Sequence, residues 1–515
     1  MTISWSRMVL GASLLVLFII YLIYRYMTRN FNYWKNRGVI FVPPSPFLGN
    51  FGEFLLGKKS VANFTKAVYN YAPNEPYVGF FGFDKPMLMI RDVGLINQIL
   101  VKDFNYFDDR FVNAGAHDIL GNSNLFVLKN PAWKILRKNL TPIFTSGKLK
   151  EMVKLIKEVG EDLITHMEHQ HLEESGQVLE VKEICLLFTI DMIATTAFGV
   201  RANSLNNPTA DFGRNSKEMF RETLYRSIEQ ISLFFAPALM TPLRFHLFPK
   251  NLGEFMRKVI WDAISEREKS GIQRHDLIDL LIELKNQKPD EAEETIFEFQ
   301  GDTVVAQAAL FFVAGFETSS STMSFALYEL AVKPEIQNRL RREITDAIER
   351  NGGRITYDLI MQLPYLDMVV SETLRKYPPL PLLDRLTRTD YRVPGTDLII
   401  EKGTPVYISL TGLHSDPKYH NNPEEFDPER FSDVNKHSTK RGWNPFGEGP
   451  HSCIGRRLGL LQSKLGIIEM LRNYQFTPCE RTPIPMVLSK KGLTMRPRGG
   501  LYLHVKKIHP HIHST

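Results

Sequence analysis

The sequence predicts a mainly α-helical protein with small β-sheets, preceded by one N-terminal transmembrane helix. Three observations carry this expectation. Residues 8–24, MVLGASLLVLFIIYLIY, hold no charge and reach the short end of the length that spans a bilayer. From about residue 131 to 351 the apolar positions recur mostly at helical spacing, interrupted by glycine and proline. Strand-like runs are short and lie near residues 77–90 and 391–408, between turn residues.

Composition bounds the rest. A chain of 515 residues with 43% hydrophobic and 11% aromatic content can bury a large core, and its length alone allows about three domains. Three cysteines exclude a disulfide framework and fit reduced thiols on a cytosolic face. A net charge of +6 falls well short of a dedicated nucleic-acid binder, so no nucleic-acid partner is expected. A basic patch facing an acidic protein or anionic lipid accounts for that balance.

The N-terminal stretch reads as an uncleaved anchor over residues 1–24. A cleaved signal peptide is the rival, but no small-residue cleavage site follows, and Tyr24, Arg25 and Tyr26 would make an odd one. Arg25, Arg29, Lys35 and Arg37 follow the stretch, against Arg7 alone before it. That asymmetry puts the bulk of the chain in the cytosol, where the sequons at Asn63 and Asn139 stay unmodified. Residues 25–50 form a basic and proline-rich linker; Pro43, Pro44 and Pro46 favour a stiff extended path. The globular body is expected over residues 51–515.

Within the body, residues 77–81 and 87–90 are strand candidates around a turn holding Asp84 and Pro86. GEFLLGKKS, residues 52–60, imitates a phosphate-binding loop, but Lys59 stands where Ser or Thr must meet magnesium. Residues 231–251 are apolar yet broken by Pro237, Pro242 and Pro249, too interrupted to span a membrane. They are either buried core or a surface loop that dips into the bilayer. GLTMRPRGGLYLHVKK, residues 492–507, reads as a closing hairpin. The tail, with His509, His511 and His513, reads as a frayed terminus with weak metal-binding potential.

The chemistry is concentrated in NPFGEGPHSCIGRRLG, residues 444–459. Glycines before Cys453 let the backbone turn tightly and approach a flat group. A helix expected to start at Cys453 points its unsatisfied N–H groups and positive dipole end at the sulfur, favouring thiolate. Such a thiolate, shielded on one side by Phe446, suits a metal ligand or a nucleophile. No second Cys or His sits at zinc spacing, which favours haem iron. An inert buried cysteine is the bland alternative.

Phe446, Gly449, Cys453 and Gly455, in F-x-x-G-x-x-x-C-x-G order, resemble the haem-binding loop of the cytochrome P450 family. ETLR at 372–375, FDPERF at 426–431, AGFETSSST at 314–322 and WKILR at 133–137 follow the family's order over nearly the whole chain after the anchor. FTSGKLKEM, residues 144–152, is similar to the membrane-anchored microsomal branch that joins insect detoxifying and vertebrate drug-oxidising members.

The resemblance implies haem b between a long central helix and the Cys-bearing helix, with Cys453 as axial ligand to iron. It assigns haem contacts to Phe446, Ala314, Trp133, Arg137, Arg110, Arg385 and His451. Trp133 and Arg137, i and i+4 on one helix face, can offer indole N–H and guanidinium together to a propionate. His451 departs from the branch, which usually has an arginine there. Thr318 is expected to relay a proton with Glu317 helping to deliver it, Gly315 easing an opening of the helix beside them. The pair Glu372 and Arg375 is expected to be buried and joined by Arg430.

The implied activity is a monooxygenase. A thiolate ligand favours O–O cleavage, and one oxygen atom from O2 enters a lipophilic small molecule, either a xenobiotic or an endogenous hormone or fatty acid. No flavin or nicotinamide domain is visible, so electrons from NADPH must arrive through a separate flavoprotein, NADPH-cytochrome P450 reductase, with cytochrome b5 as a second donor. Lys134, Lys138, Arg456, Arg457 and Lys464 are expected to form its docking face. The resemblance places the protein on the cytosolic face of the endoplasmic reticulum membrane. By the same analogy, residues 111–126, 311–314, 380–383 and 487–493 line the substrate pocket. Two rivals share the cysteine: a haem-thiolate isomerase or dehydratase needing no external electrons, and a non-catalytic haem sensor or carrier.

Overall fold

The computed structural model describes residues 2–287, 296–435 and 440–508, so the histidine-rich tail lies outside the described residues. In chain order the elements used below are α1 (Thr2–Thr28), β1 (Tyr77–Gly82), β2 (Lys85–Ile90), α2 (Ala132–Leu140), β3 (Gln177–Glu180), α3 (Val181–Phe198), α4 (Asp211–Met219) and α5 (Leu224–Phe235). They continue with α6 (Asp302–Val332), α7 (Pro364–Lys376), β4 (Leu382–Leu386), β5 (Tyr391–Arg392), β6 (Ile399–Ile400), β7 (Pro405–Ser409), α8 (Arg456–Asn473), β8 (Tyr474–Thr477) and β9 (Tyr502–Lys507). The mainly helical expectation holds.

The contacts divide the chain into two units. The first comprises residues 1–111 and 382–412. Its helix α1 contains a 22-residue stretch, Arg7–Thr28, that is apolar and long enough to cross a membrane and is wholly unburied. Beyond it stands a four-stranded sheet of order β1-β2-β7-β4. β1 and β2 pair antiparallel with Val78 opposite Met89, and β2 pairs parallel with β7. Phe83, in the turn, adopts a left-handed φ of 56°. The segment 52–60 forms a short helix, Gly52–Leu55, and Lys59 pairs with Glu53 at 2.5 Å, an ordinary surface ion pair.

Residues 34–50, part of the expected linker 25–50, lie along this sheet. Trp34 is fully buried and its Nε1 donates to the Phe80 carbonyl at 3.2 Å. Gly79 exists for this contact, since a Cβ there would stand 2.5 Å from the Trp34 ring. Val42 N–H donates to Gly79 O at 2.9 Å, and Gly79 N–H to Ile40 O at 2.9 Å.

The second unit comprises residues 112–381 and 413–515. Helix α6 runs through it for 31 residues, almost entirely buried, and stops where Lys333 precedes Pro334. It is apolar enough to cross a membrane, but its burial against α3 and α8 makes it a core helix. The three-stranded sheet has order β3-β9-β8.

Two sequence expectations change here. Residues 492–507 do not close on themselves. Residues 487–498 make a tight turn, with Ser489 N–H donating to Arg496 O at 2.8 Å and Arg498 N–H to Val487 O at 2.9 Å. β9 then pairs with β8 and β3. Residues 231–251 divide between the two readings: Leu233, Phe234, Phe235, Met240, Phe245 and Phe248 are core, while residues 241–244, Leu243 among them, are exposed.

Candidate active site

The site is built on α6. Thr318 Oγ1 donates back to the Ala314 carbonyl at 2.7 Å, the bond open to a threonine one turn along a helix. Ala314 is exposed and Leu310, Gly315 and Thr318 around it are half-buried on an otherwise largely buried helix, so Ala314 and Thr318, i and i+4, mark the helix face left open. Gly315 also serves packing. A Cβ there would sit 2.7 Å from Ile193 Cδ1, so the glycine serves the close approach of α3. Its carbonyl accepts from Gln462 Nε2 of α8 at 2.7 Å, and Gln462 Nε2 also donates to Ser319 Oγ.

α8 carries the cysteine loop at its N-terminal end. The loop turns at Gly447 and Gly449, with φ of 69° and 70°, values an L side chain rarely adopts. Cys453 N–H donates to Phe446 O at 2.8 Å, and Arg456 lies over the Phe446 ring at 5.2 Å. The cysteine does not open the helix. α8 begins at Arg456 with Gly455 as its N-cap, so the dipole end lies three positions beyond the sulfur and the loop backbone holds Cys453. Cys453 is the one exposed cysteine; Cys185 is buried and Cys479 half-buried.

Three of the expected ligand residues meet beside this loop. The Trp133 and His451 rings lie 3.9 Å apart, centre to centre, and Arg137 Nη2 donates to the Ser452 carbonyl at 2.9 Å. Both Trp133 and His451 are buried. One turn of α2 therefore braces the two residues that precede Cys453.

Arg110 and Arg385 belong to the first unit. Arg385 on β4 is buried, donates Nη1 to Asp384 O at 2.7 Å, and has an Nε with no hydrogen-bond partner. Arg110 Nη1 lies 3.5 Å from Asp384 Oδ1. Burial, then the neighbouring Arg110 charge, push the Arg385 guanidinium down to about 9 against the opposing Asp384 carboxylate. Arg110 thus pairs with the Asp384 carboxylate, while Arg385 bonds the Asp384 backbone carbonyl and feels that carboxylate through space.

Glu317 faces a different environment from Thr318. It is buried, with Arg496 Nε donating to Oε1 at 2.8 Å, Arg496 Nη2 2.6 Å from Oε2, and Lys182 Nζ 3.4 Å from Oε2. Ser321 Oγ donates to Oε1 at 3.2 Å. Burial raises the carboxyl, but Arg496 and Lys182 outweigh it and hold the group below its ordinary range. Neither cation stands out in the sequence, where they lie 179 and 135 positions from Glu317.

Behind the cysteine loop stands the expected fork. Glu372 accepts from Arg375 Nε at 2.7 Å and Nη2 at 2.8 Å, and from Arg430 Nε at 3.3 Å. Arg375 Nη1 donates to the His414 carbonyl at 2.8 Å. The His414 ring bonds the Arg375 carbonyl through Nδ1 at 3.1 Å and accepts from Asn444 N–H at 3.0 Å. Burial, with His420 and Arg375 nearby, keeps His414 far below the usual histidine range, so it is neutral and donates from Nδ1. The fork thus reaches the first residue of the cysteine loop.

The expected basic face is smaller than the sequence suggests. Lys134, Lys138, Arg456 and Arg457 are exposed. Lys464 is 0% exposed and pairs with Asp367 at 2.9 Å, which makes it a core cation.

The residues present fit a thiolate-ligated, doubly anionic planar group. Within the second unit, a thiol is exposed in a glycine loop and an exposed alanine interrupts a largely buried helix. Comparison with known proteins agrees. The family model described as Cytochrome P450 matches residues 41–504. "Cytochrome P450 6k1" of Blattella germanica is 45% identical, covering 93% of this chain and 94% of the relative. "Probable cytochrome P450 6g2" of Drosophila melanogaster is 44% identical, covering 93% and 95%. "Cytochrome P450 6j1" of Blattella germanica is 41% identical, covering 94% and 95%.

Proposed function

Since the chain belongs to the cytochrome P450 family and is a haem-dependent monooxygenase, we propose that it inserts one oxygen atom from O2 into a lipophilic small molecule, drawing NADPH electrons through a separate flavoprotein reductase. It does so anchored in the endoplasmic reticulum membrane by α1, with its body on the cytosolic side. The observation that carries this reading is the exposed Cys453 thiol, in a loop where Cys453 N–H donates to Phe446 O and whose following helix is tied to the Gly315 carbonyl of α6.

Haem iron bound through a thiolate supplies dioxygen activation. The chain supplies the rest. Cys453 would ligate the iron, and Phe446 and Ala314 would contact the haem. Trp133, Arg137 and His451 would donate hydrogen bonds to its propionates, and Arg110 and Arg385 would answer propionate charge. Thr318 Oγ1 holds a proton at the open face of α6, released from Ala314 O when an acceptor arrives. Glu317 replenishes it. Lys134, Lys138, Arg456 and Arg457 offer a basic surface to an acidic reductase, with cytochrome b5 as a second candidate donor.

The first test is the carbon monoxide difference spectrum of the reduced protein, with Cys453→Ser alongside. A strongly red-shifted Soret band, absent from the variant, supports thiolate ligation. Its absence from folded, haem-loaded protein ends the oxygen-activation reading. Product from lipophilic substrates that requires both NADPH and reductase supports the monooxygenase route. Product without an electron donor points to an isomerase or dehydratase.

A further inference from the structure

The run Thr318-Ser319-Ser320-Ser321-Thr322 places hydroxyl side chains in succession on a buried helix. Serine and threonine weaken a helix because their oxygens compete for its backbone groups. In α6 side-chain donors reach five consecutive carbonyls, 314 to 318. Three of the donors belong to α6. Ala314 O accepts from Thr318 Oγ1 at 2.7 Å, Glu317 O from Ser320 Oγ at 3.0 Å, and Thr318 O from Thr322 Oγ1 at 2.9 Å. The two carbonyls between them are served by other helices. Gly315 O accepts from Gln462 Nε2 of α8 at 2.7 Å, and Phe316 O from Thr189 Oγ1 of α3 at 2.9 Å.

Both outside donors are 0% exposed, and each is arranged to give rather than to take. Gln462 Nε2 also donates to Ser319 Oγ, so both amide hydrogens go to α6. Its Oε1 is buried and has no hydrogen-bond partner among the described residues. An unsatisfied buried acceptor costs free energy, so it is donation to α6 that this placement serves. Thr189 has one hydroxyl proton within reach of Phe316 O and of two carbonyls of its own helix, Cys185 O at 2.9 Å and Leu186 O at 3.1 Å. That proton can swing to α6 and back without losing a hydrogen bond.

α6 nonetheless runs unbroken through this stretch. In a regular α-helix Gly315 O and Phe316 O also accept from the N–H groups of Ser319 and Ser320. Lengthening such a bond in a buried helix ordinarily strands the carbonyl, which is costly. Here each carbonyl already has a second donor. A side chain set into the i to i−4 ladder is one of the places where helices bend.

We propose that Thr189 and Gln462 are positioning residues that hold the Phe316 and Gly315 carbonyls when the bonds to Ser320 and Ser319 lengthen, and so set how readily α6 opens beside Thr318. The Thr318 hydroxyl rests on Ala314 O at the same turn, so the ease of opening governs where that hydroxyl points. Only hydrogen bonds are exchanged. The functional part of this rests on the reading of Thr318 as the proton carrier.

The test is amide hydrogen exchange on the full chain carrying Thr189→Val or Gln462→Met, read at residues 319 and 320. Each substitution keeps the shape of the side chain and deletes its donor. A change that only loosens packing speeds exchange. The proposal requires the opposite: exchange about two- to tenfold slower at Ser320 in Thr189→Val and at Ser319 in Gln462→Met, the fold-change of one lost hydrogen bond. Thr189→Ser keeps the hydroxyl and should exchange as the unsubstituted protein does. Thr189→Val and Gln462→Met should also send more NADPH electrons to hydrogen peroxide and fewer to product. Unchanged or faster exchange at these amides, in whichever of the two variants folds, overturns the proposal. Failure of the monooxygenase reading registers separately, as no NADPH-dependent product from the unsubstituted protein, and leaves the exchange result readable.

Discussion

Glu372→Ala removes the acceptor at the centre of the fork. Glu372 is 0% exposed and takes bonds from Arg375 and Arg430, themselves 2% and 8% exposed, and from Asp427 N–H at 3.0 Å. The substitution strands two buried guanidiniums, whose remaining partners are carbonyls: His414 and Glu425 for Arg375, Asn421 and Asn422 for Arg430. Breaking a buried pair in this way costs about 3–5 kcal/mol, a large share of the ~5–15 kcal/mol that holds a typical domain. The damage should also travel. Arg375 positions His414, and His414 accepts from Asn444, where the cysteine loop begins. Trp443 Nε1, one residue earlier, donates to the Ser371 carbonyl beside the fork at 3.1 Å. The expected result is protein that melts earlier and purifies with little haem, read as the haem-to-protein absorbance ratio together with a melting curve. A Glu372→Ala protein with full haem content and the original melting temperature would refute the reasoning, because it would mean that the guanidiniums find other anions or water.

Three further outcomes follow from the same geometry. Burial keeps His414 well below the usual range and pushes His420 down to about 4; the unfolded chain, with ordinary histidines, binds protons first. Their stability contribution is therefore full above pH ~6.5 and lost as pH falls towards about 4, on the order of 3 kcal/mol for His420. Melting curves between pH 7.5 and 4.5 check this, and the fall should shrink in His420→Gln. Gly315→Ala should cost about 1–3 kcal/mol through its clash with Ile193, although alanine is the better helix former. Ile193→Val, which removes the Cδ1 atom in the way, should recover part of it in a denaturant titration. Charge reversal at Lys134, Lys138, Arg456 and Arg457 should slow reduction by the flavoprotein and flatten its salt dependence in stopped-flow measurements, leaving folding intact. Lys464→Glu should instead destabilise the protein, because it sets a buried carboxylate beside Asp367.

Much of this was legible from local pattern. β1 and β2 announce themselves as short apolar runs around a turn, and the glycines around Cys453 report a backbone that must turn left-handed twice. The Glu372, Arg375 and Arg430 fork was expected from family resemblance, since i, i+3 spacing alone describes a solvated pair equally well. What escaped was decided by distant partners. Lys464 looks like one more surface cation after Arg456 and Arg457 until Asp367 and the core close over it. Lys182 and Arg496 carry no signal, because nothing local says that either will meet Glu317. Gly315 reads as a loosened helix when only α6 is considered, and as a contact once α3 is present. The start of α8 was misplaced by three residues because a glycine-rich turn and a first helical turn have the same composition.

Trp34 gives the anchor a mechanical meaning. Its indole plugs the space over Gly79, Arg29 pairs with Asp84 at 3.1 Å, and Tyr33 and Arg37 both bond Glu401, at 3.0 and 2.5 Å. The chain leaving α1 is thus fastened to the sheet at three places. A tilt of α1 would be passed as torque to β1 and β2, so a bilayer holding α1 would set the heading of the sheet as a keel sets that of a hull. The same feature dictates where a soluble form can be cut. Trimming at the proline motif would pull the plug from Gly79 and strip residues 40–42 from the sheet edge, whereas a cut just before Phe31 would remove the membrane span and leave the sheet its ballast.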